Sequence, residues 1–333
     1  MKTNLLYAGA LALCVIALVA CAAPTPTPTL VPPTQPPAPT STPVPPTPTA
    51  IPAVPKPTAA PNVSAILTAT APQVKIGTPS RDTHESLNDI LWVQTAAEYR
   101  ITCQVLFDLA KSDLDLALKD PTWSAALEQT GSFQTLPPAI IVDVDDTILD
   151  NSPAVAWFVQ NRIGFASTTS LASWIVSAEA TGLPGSVDFL KYAESKSVTI
   201  FFVTNRTSGM EAATRANLAK LGLSLPTTLD TVLTPGEKPG WGSDKTTRRA
   251  FVATTHRILL LLGDDLNDFV SGAMDTPEKR VALAAKYQTY WGKQWILIPN
   301  TLYGSWESAL YGHQSPPDNT RLQQKFELIK STR

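Results

Sequence analysis

The chain has 333 residues and a formal net charge of -2 at pH 7, with 3 cysteines and 3 histidines. Its charge balance marks it neither for nucleic acid nor for an acidic or basic partner. His84, His256 and His313 show no paired spacing, so they receive no metal or catalytic assignment.

Residues 4–20 (NLLYAGALALCVIALVA) form an apolar stretch behind Lys2, closed by Leu18-Val19-Ala20-Cys21. This pattern predicts a signal peptide over 1–20. The Leu-x-Ala-Cys end is similar to the cleavage box of bacterial lipoproteins, which implies a lipid on Cys21; an ordinary secretory signal or a short N-terminal anchor is the alternative. From Ala22 to about Pro72 the chain is rich in Pro and Thr, carries Lys56 as its single charge, and holds 16 of the 30 prolines between Pro24 and Pro61. That density excludes helix and sheet and predicts an extended, semi-rigid tether over 21–72. Cys14 leaves with the signal and Cys21 is the lipid site, so Cys103 alone remains and no intrachain disulfide forms. The domain over 80–333 then depends on its core.

In that domain, residues 85–119 repeat apolar residues at spacings of three and four, which predicts one long helix or two joined ones. Ile140-Ile141-Val142 is an unbroken apolar run suited to a strand buried on both faces of a parallel sheet. Residues 153–182 are helical and irregular, and together with about 85–120 they are expected to form a small helical cap. Strands are predicted over 198–204 and 257–262, with a weaker one over 228–233 and a last one over 295–298. Helices are predicted over 210–221, ended by Gly222, and over 245–254. Alternation of this kind predicts an α/β fold, a doubly wound parallel sheet of Rossmann-like type.

Three of these strands end in polar clusters: Asp143 and Asp145, then Thr204-Asn205-Arg206, then Asp264 and Asp268. Parallel strands bring their carboxyl ends to one edge, where ligands bind in open α/β sheets. Taken alone, AIIVDVDDTIL (139–149) leaves two readings open, a solvated acidic turn or a cation site. A calcium loop fails on spacing, because Ile148 and Ala154 stand where Gly and Glu are needed. The converging clusters suit phosphoryl transfer. A carboxylate can attack phosphorus, and Asp143 is the candidate. Asp145 can protonate the leaving group and then deprotonate water. A magnesium ion and Lys245 can offset the negative charge.

These residues resemble the haloacid dehalogenase superfamily through VDVDDT, FVTNR, Lys245 and GDDLND, in that order. More narrowly the chain is similar to the class C acid phosphatases, bacterial surface lipoproteins that include a 5'-nucleotidase. The resemblance rests on LWVQTAAEYR, DVDDTILDNSP, LPGSVDFL, FFVTNR, GSDKTTRR, LGDDLNDF and IPNTLYGSWE, and it covers roughly Leu87 to Gly312. It implies a haloacid-dehalogenase-like sheet with a smaller cap and one Mg2+ held by Asp143, Asp264 and the backbone carbonyl of Asp145. It also implies phosphate binding by Thr204, Asn205 and Lys245, with Asp268 behind the metal. Phe165 and Tyr303 match members of an aromatic cluster that stacks on a nucleotide base, whereas Leu171 stands where a tryptophan is expected. Asp146 replaces the usual glutamate and Asp265 the usual asparagine.

The expected protein is therefore a surface or periplasmic lipoprotein that hydrolyses phosphate monoesters, nucleoside monophosphates among them, with its membrane contact at Cys21. A superfamily dehalogenase would not need Asp145, since halide leaves unprotonated, and no P-loop pattern occurs. The rival from another class is a catalytically inactive binding lipoprotein on the same fold. The complete set of Asp143, Asp145, Lys245 and Asp264 weighs against it.

Overall fold

Short, almost wholly apolar segments build the centre of the molecule. In the computed structural model, which describes residues 86–161 and 168–330, β1 is Pro138–Val142, β2 Thr199–Val203, β3 Val232–Leu233, β4 Arg257–Gly263 and β5 Trp295–Leu297. Neighbouring strands are parallel, in the order β3-β2-β1-β4-β5. This is the expected doubly wound sheet, and β1, flanked by β2 and β4, stands where the winding reverses. Cys21, the expected signal over 1–20, the expected tether over 21–72 and Phe165 lie outside the described residues.

Side chains alternate across the sheet with a period of two. Ile140, Val142, Phe202, Leu262 and Ile296 enter one apolar cluster; Ile141, Phe201, Val203, Leu261 and Trp295 enter the other. The pairing of β1 with β4 slips between Ala139 and Ile140, leaving Leu259 as an extra residue. That bulge puts Leu259 and Leu260 in the same cluster.

The first face is covered by α1 (Leu87–Thr95) and α2 (Ala97–Lys119), which join at Ala96, where the backbone opens to ψ 128°. Cys103, Phe107, Ala110 and Leu114 of α2 are fully buried and share a cluster with β1, β2 and β4. This corrects one expectation. Residues 97–119 do not belong to a cap, because a helix of that length with one apolar stripe buries it on the sheet, and α2 packs on β4, β5 and α5. Helix α3 (Ser152–Gln160) and α4 (Thr168–Ser177) follow β1, and α5 (Ser186–Ser195) returns the chain to β2. Gly185 enters α5 at φ 86°, where a Cβ would also press to 3.2 Å from Cβ of Phe107.

The other connections are α6 (Glu211–Lys220), α7 (Thr246–Ala253) and α8 (Pro277–Lys286), followed after β5 by α9 (Ser305–Ala309) and α10 (Asp318–Leu328). Val252 of α7, with Phe269, Trp295 and partly buried Leu283 of α8, fills the second face. None of the described helices is long and apolar enough to cross a membrane.

Candidate active site

The chain leaves β1 at Val142 and turns back at once. The amides of Ile148 and Leu149 donate to Val144 O at 3.1 and 2.9 Å, and that of Asp146 donates to Leu149 O at 2.9 Å. Asp146 adopts a left-handed backbone, φ 51°, in this turn. Its carboxylate accepts the Asn151 amide at 3.1 Å and the Tyr303 hydroxyl. The turn is thereby fixed on both sides, and Asp143 and Asp145 both line one cavity.

Asp143, Lys245, Asp264 and Asp268 form the base of that cavity. Lys245, at the start of α7, is 3 % exposed; its ammonium pairs with Asp143 and, at 2.6 Å, with Asp268. Asp264, the first residue beyond β4, accepts from Thr147 Oγ1 at 3.1 Å and from Asn300 Nδ2 at 2.8 Å. Carboxylate oxygens of Asp143, Asp264 and Asp268 lie within 4.8 Å of one another. Gly263 makes this crowding possible, since a Cβ there would meet the Asp268 carboxylate at 2.2 Å. Three hard oxygen donors so close, with one ammonium between them, fit a divalent cation.

Protonation follows the same crowding. Burial pushes Asp143 up to about 7; Lys245 opposes the rise, while Asp268 and Asp145 add to it. Asp264 rises well above the usual range through burial and the charges of Asp268 and Asp143. Asp268 is also raised by burial, against the pull of Lys245. Lys245 itself is raised, because the two carboxylates outweigh its burial.

Asp145 is treated differently. Arg206 Nε donates to both its oxygens at 3.0 and 3.1 Å, Arg206 Nη2 to Oδ1 at 2.8 Å, and Asn151 Nδ2 to Oδ1 at 2.7 Å. Burial works to raise this carboxyl, but Arg206 and Asn151 outweigh it and hold it below the ordinary value. A proton donor expected from the sequence is thus an ion-paired carboxylate at rest. Thr204 Oγ1 stands 3.5 Å from Asp145 Oδ2, and it accepts the Arg206 amide at 3.1 Å.

Asn205 lines the cavity with its side chain engaged on both ends: Nδ2 donates to Ser243 O at 3.0 Å, and Oδ1 accepts from Arg248 Nη2 at 2.6 Å. Arg248, in α7, also donates to Thr204 O and, at 3.0 Å, to Gly242 O, fastening the end of β2 to α7 and to the loop before it. Arg249 donates to Asp268 O at 3.1 Å and pairs with Glu128 at 2.7 Å, doing the same for the end of β4. These two arginines, in GSDKTTRR, carry no role that the sequence alone suggests, and neither do Thr147, Asn300 and the Asp145 partners Arg206 and Asn151. Their signal was position: Asn151 and Arg206 sit inside the stretches DVDDTILDNSP and FFVTNR.

The cavity has a volume of about 610 Å³. Its lining also includes Leu171, Ala172 and Ile175 of α4, Met210 and Met274, and Tyr303. Of the described residues within 153–182, Leu171, Ala172 and Ile175 line the cavity. Tyr303 is raised by burial and by Asp146, so it stays a hydroxyl donor. Asp265 spends its carboxylate on the Asn267 amide at 3.0 Å and the Ser305 amide at 2.6 Å, which anchors the start of α9.

A model of the family "HAD superfamily, subfamily IIIB (Acid phosphatase)" matches residues 62–306. Among solved structures, the chain is similar to the class C acid phosphatase from Bacillus anthracis with tungstate bound, at 33% identity and a TM-score of 0.66, covering 76% of this chain and 100% of that one. A second structure of the Bacillus anthracis class C acid phosphatase matches at 32% identity and a TM-score of 0.65, with the same coverage.

Proposed function

The chain belongs to the acid phosphatases of subfamily IIIB in the HAD superfamily and is a phosphatase, and from that premise we propose a magnesium-dependent phosphomonoesterase with Asp143 as nucleophile. One observation carries the reading. Asp143 and Asp145 face a common cavity with Lys245, Asp264 and Asp268, and three of these carboxylates converge within 4.8 Å.

Asp143, Asp264 and the backbone carbonyl of Asp145 would hold the ion, with Asp268 ordering its surroundings. A bound magnesium ion supplies charge neutralisation at the phosphoryl oxygens. The protein's own steps are these. Lys245, Thr204 and Asn205 receive the phosphate. A carboxylate oxygen of Asp143 bonds to phosphorus as the ester oxygen leaves, and Asp145 gives that oxygen its proton, releasing an alcohol. Water then attacks the aspartyl phosphate, Asp145 takes its proton, and inorganic phosphate leaves with Asp143 restored.

The substrate class is phosphate monoesters, and nucleoside monophosphates belong to it by analogy with the family; Tyr303 offers a ring on the cavity wall. The signal over 1–20, Cys21 and the tether over 21–72 support a lipid anchor at a bacterial surface or in the periplasm. The domain over 80–333 would then work at the end of that tether.

Hydrolysis of p-nitrophenyl phosphate by soluble protein starting at Gln73, between about pH 4.5 and 7.5, tests the reading. Turnover that vanishes in chelator and returns with magnesium is expected. Unaltered turnover in chelator would remove the ion, and no turnover with magnesium would favour a binding protein.

A further inference from the structure

Asn151 is 1 % exposed and lies one residue before α3, in contact with two carboxylates and an indole. Its Nδ2 donates to Asp145 Oδ1 at 2.7 Å, and its Oδ1 accepts the Trp174 Nε1 proton at 2.9 Å. An indole nitrogen can only donate. The carbonyl end of the Asn151 amide must therefore face Trp174, and its NH2 end must face Asp145. Trp174 is on α4, two to three residues from Leu171 and Ala172 on the cavity wall. The part of the cavity lining that α4 supplies is thus joined to the Asp145 carboxylate through two hydrogen bonds.

The bonds also distinguish the two oxygens of Asp145. Oδ1 accepts Asn151 Nδ2, Arg206 Nη2 and, at 3.0 Å, Arg206 Nε, whereas among the described residues Oδ2 has only Arg206 Nε at 3.1 Å and Thr204 Oγ1 at 3.5 Å. Oδ2 is the oxygen left for a proton. If the carboxyl rotated, the proton and the donors would exchange places. Arg206 restrains that rotation as well, but it lies on the β2 side and has its own tie to Thr214 Oγ1 at 3.1 Å. Asn151 is the restraint on the α4 side.

We propose that Asn151 and Trp174 are positioning residues that hold the Asp145 carboxyl with Oδ2 toward the leaving group, so that proton donation depends on α4 being in place. The proposal rests on Asp145 as the acid. It concerns geometry rather than binding of phosphate. Loss of the pair should therefore be felt in proportion to how much the leaving group needs a proton. An alkoxide needs it fully, and p-nitrophenoxide hardly at all.

The experiment compares kcat/KM, which ends at release of the alcohol and so leaves out the water step that both esters share, for p-nitrophenyl phosphate and for a simple alkyl phosphate in magnesium-containing buffer, for the wild type, Trp174→Phe, Asn151→Ala and the double variant. Trp174→Phe keeps the ring and removes only the donor. The ratio of alkyl to aryl kcat/KM should fall on the order of tenfold in each single variant, and in the double variant no further than in Asn151→Ala, because the two residues act in series. Equal losses on both esters, or additive losses in the double variant, would overturn the proposal. Thermal melting of each variant separates these results from unfolding, and Asn151→Ala serves if Trp174→Phe does not fold. Asp145→Asn isolates the premise: if it keeps alkyl ester hydrolysis, Asp145 is not the acid, whereas if it loses that activity and the ratio is unmoved in Trp174→Phe and Asn151→Ala, only the positioning role fails.

Discussion

The two sides of the cavity are built on opposite principles. The base consists of charged groups packed out of water: Asp143, Lys245 and Asp268 are each no more than 7 % exposed, and they are fixed by strand ends and by paired arginines. The wall consists of aliphatic and thioether side chains, Leu171, Ala172 and Ile175 of α4 with Met210 and Met274, and Met274 is 58 % exposed. Buried charges tolerate one arrangement, because an unmatched carboxylate there is costly. An apolar rim tolerates many, because dispersion and burial have little directionality. Chemistry should therefore reside in the base and preference in the wall.

The sharpest way to break this contrast is Asp143→Asn. The amide keeps the size of the side chain but cannot form the aspartyl phosphate, so kcat for p-nitrophenyl phosphate should fall by at least about 10³-fold. Circular dichroism should remain that of the wild type. Retained turnover would move the nucleophile elsewhere and leave the base as mere structural ion pairing.

A smaller effect tests whether the base is an ion site. Folding raises Asp143 to about 7 and Asp264 well above its ordinary value, in both cases first through burial and then through neighbouring carboxylates. A carboxyl raised on folding contributes stability that is complete below its unfolded value, near 4, and lost as pH rises through the folded value. Without a cation the cluster therefore weakens the fold between about pH 4 and 7. Magnesium should raise the melting temperature on the order of 5 °C at pH 7.5 and much less at pH 4.5. The depressed carboxyl of Asp145 is common to both samples and cancels in the difference. A magnesium shift that is the same at both pH values would disconnect the ion from these carboxylates.

The same contrast explains what could be seen in the sequence. Buried strands with unbroken apolar runs, such as IIV at 140–142 and ILLLL at 258–262, are visible because β-structure buried on both faces has no other composition. Their acidic and polar ends are visible for the same reason, as charges adjoining apolar runs. Arg206, Asn151, Arg248 and Arg249 were not assigned, because a side chain that holds another side chain has no fixed spacing to it: Arg206 reaches Asp145 across 61 residues. Helix α2 looked like a cap because its stripe of Cys103, Phe107 and Leu114 reports that one face is buried but not against which surface. Helix α8 went unpredicted although Thr276-Pro277 is a strong start signal, with the Thr276 hydroxyl accepting the Lys279 amide. Its sequence, PEKRVALAAK, holds too few large apolar residues for the periodicity to stand out.

The smallest effect belongs to the wall, and Met274→Ala tests it. Met274 meets the base by one route only among its described contacts, Asn267 Nδ2 at 3.6 Å from its sulfur, and Asn267 precedes Asp268 in the turn after β4. A contact that long to a neutral sulfur is weak, and the turn is independently held by the Asp265 and Asp268 carboxylates, which cap it from both sides. Truncation should therefore leave Asp268 in place and remove only apolar surface from the cavity wall. Such surface binds ground state and transition state alike, so KM for p-nitrophenyl phosphate should rise about two- to fivefold while kcat stays within about a factor of two. Steady-state kinetics at saturating magnesium decide the matter. If kcat fell more than about tenfold, the Asn267 contact would be transmitting force to Asp268, and the separation of chemistry in the base from preference in the wall would not hold at this edge of the cavity.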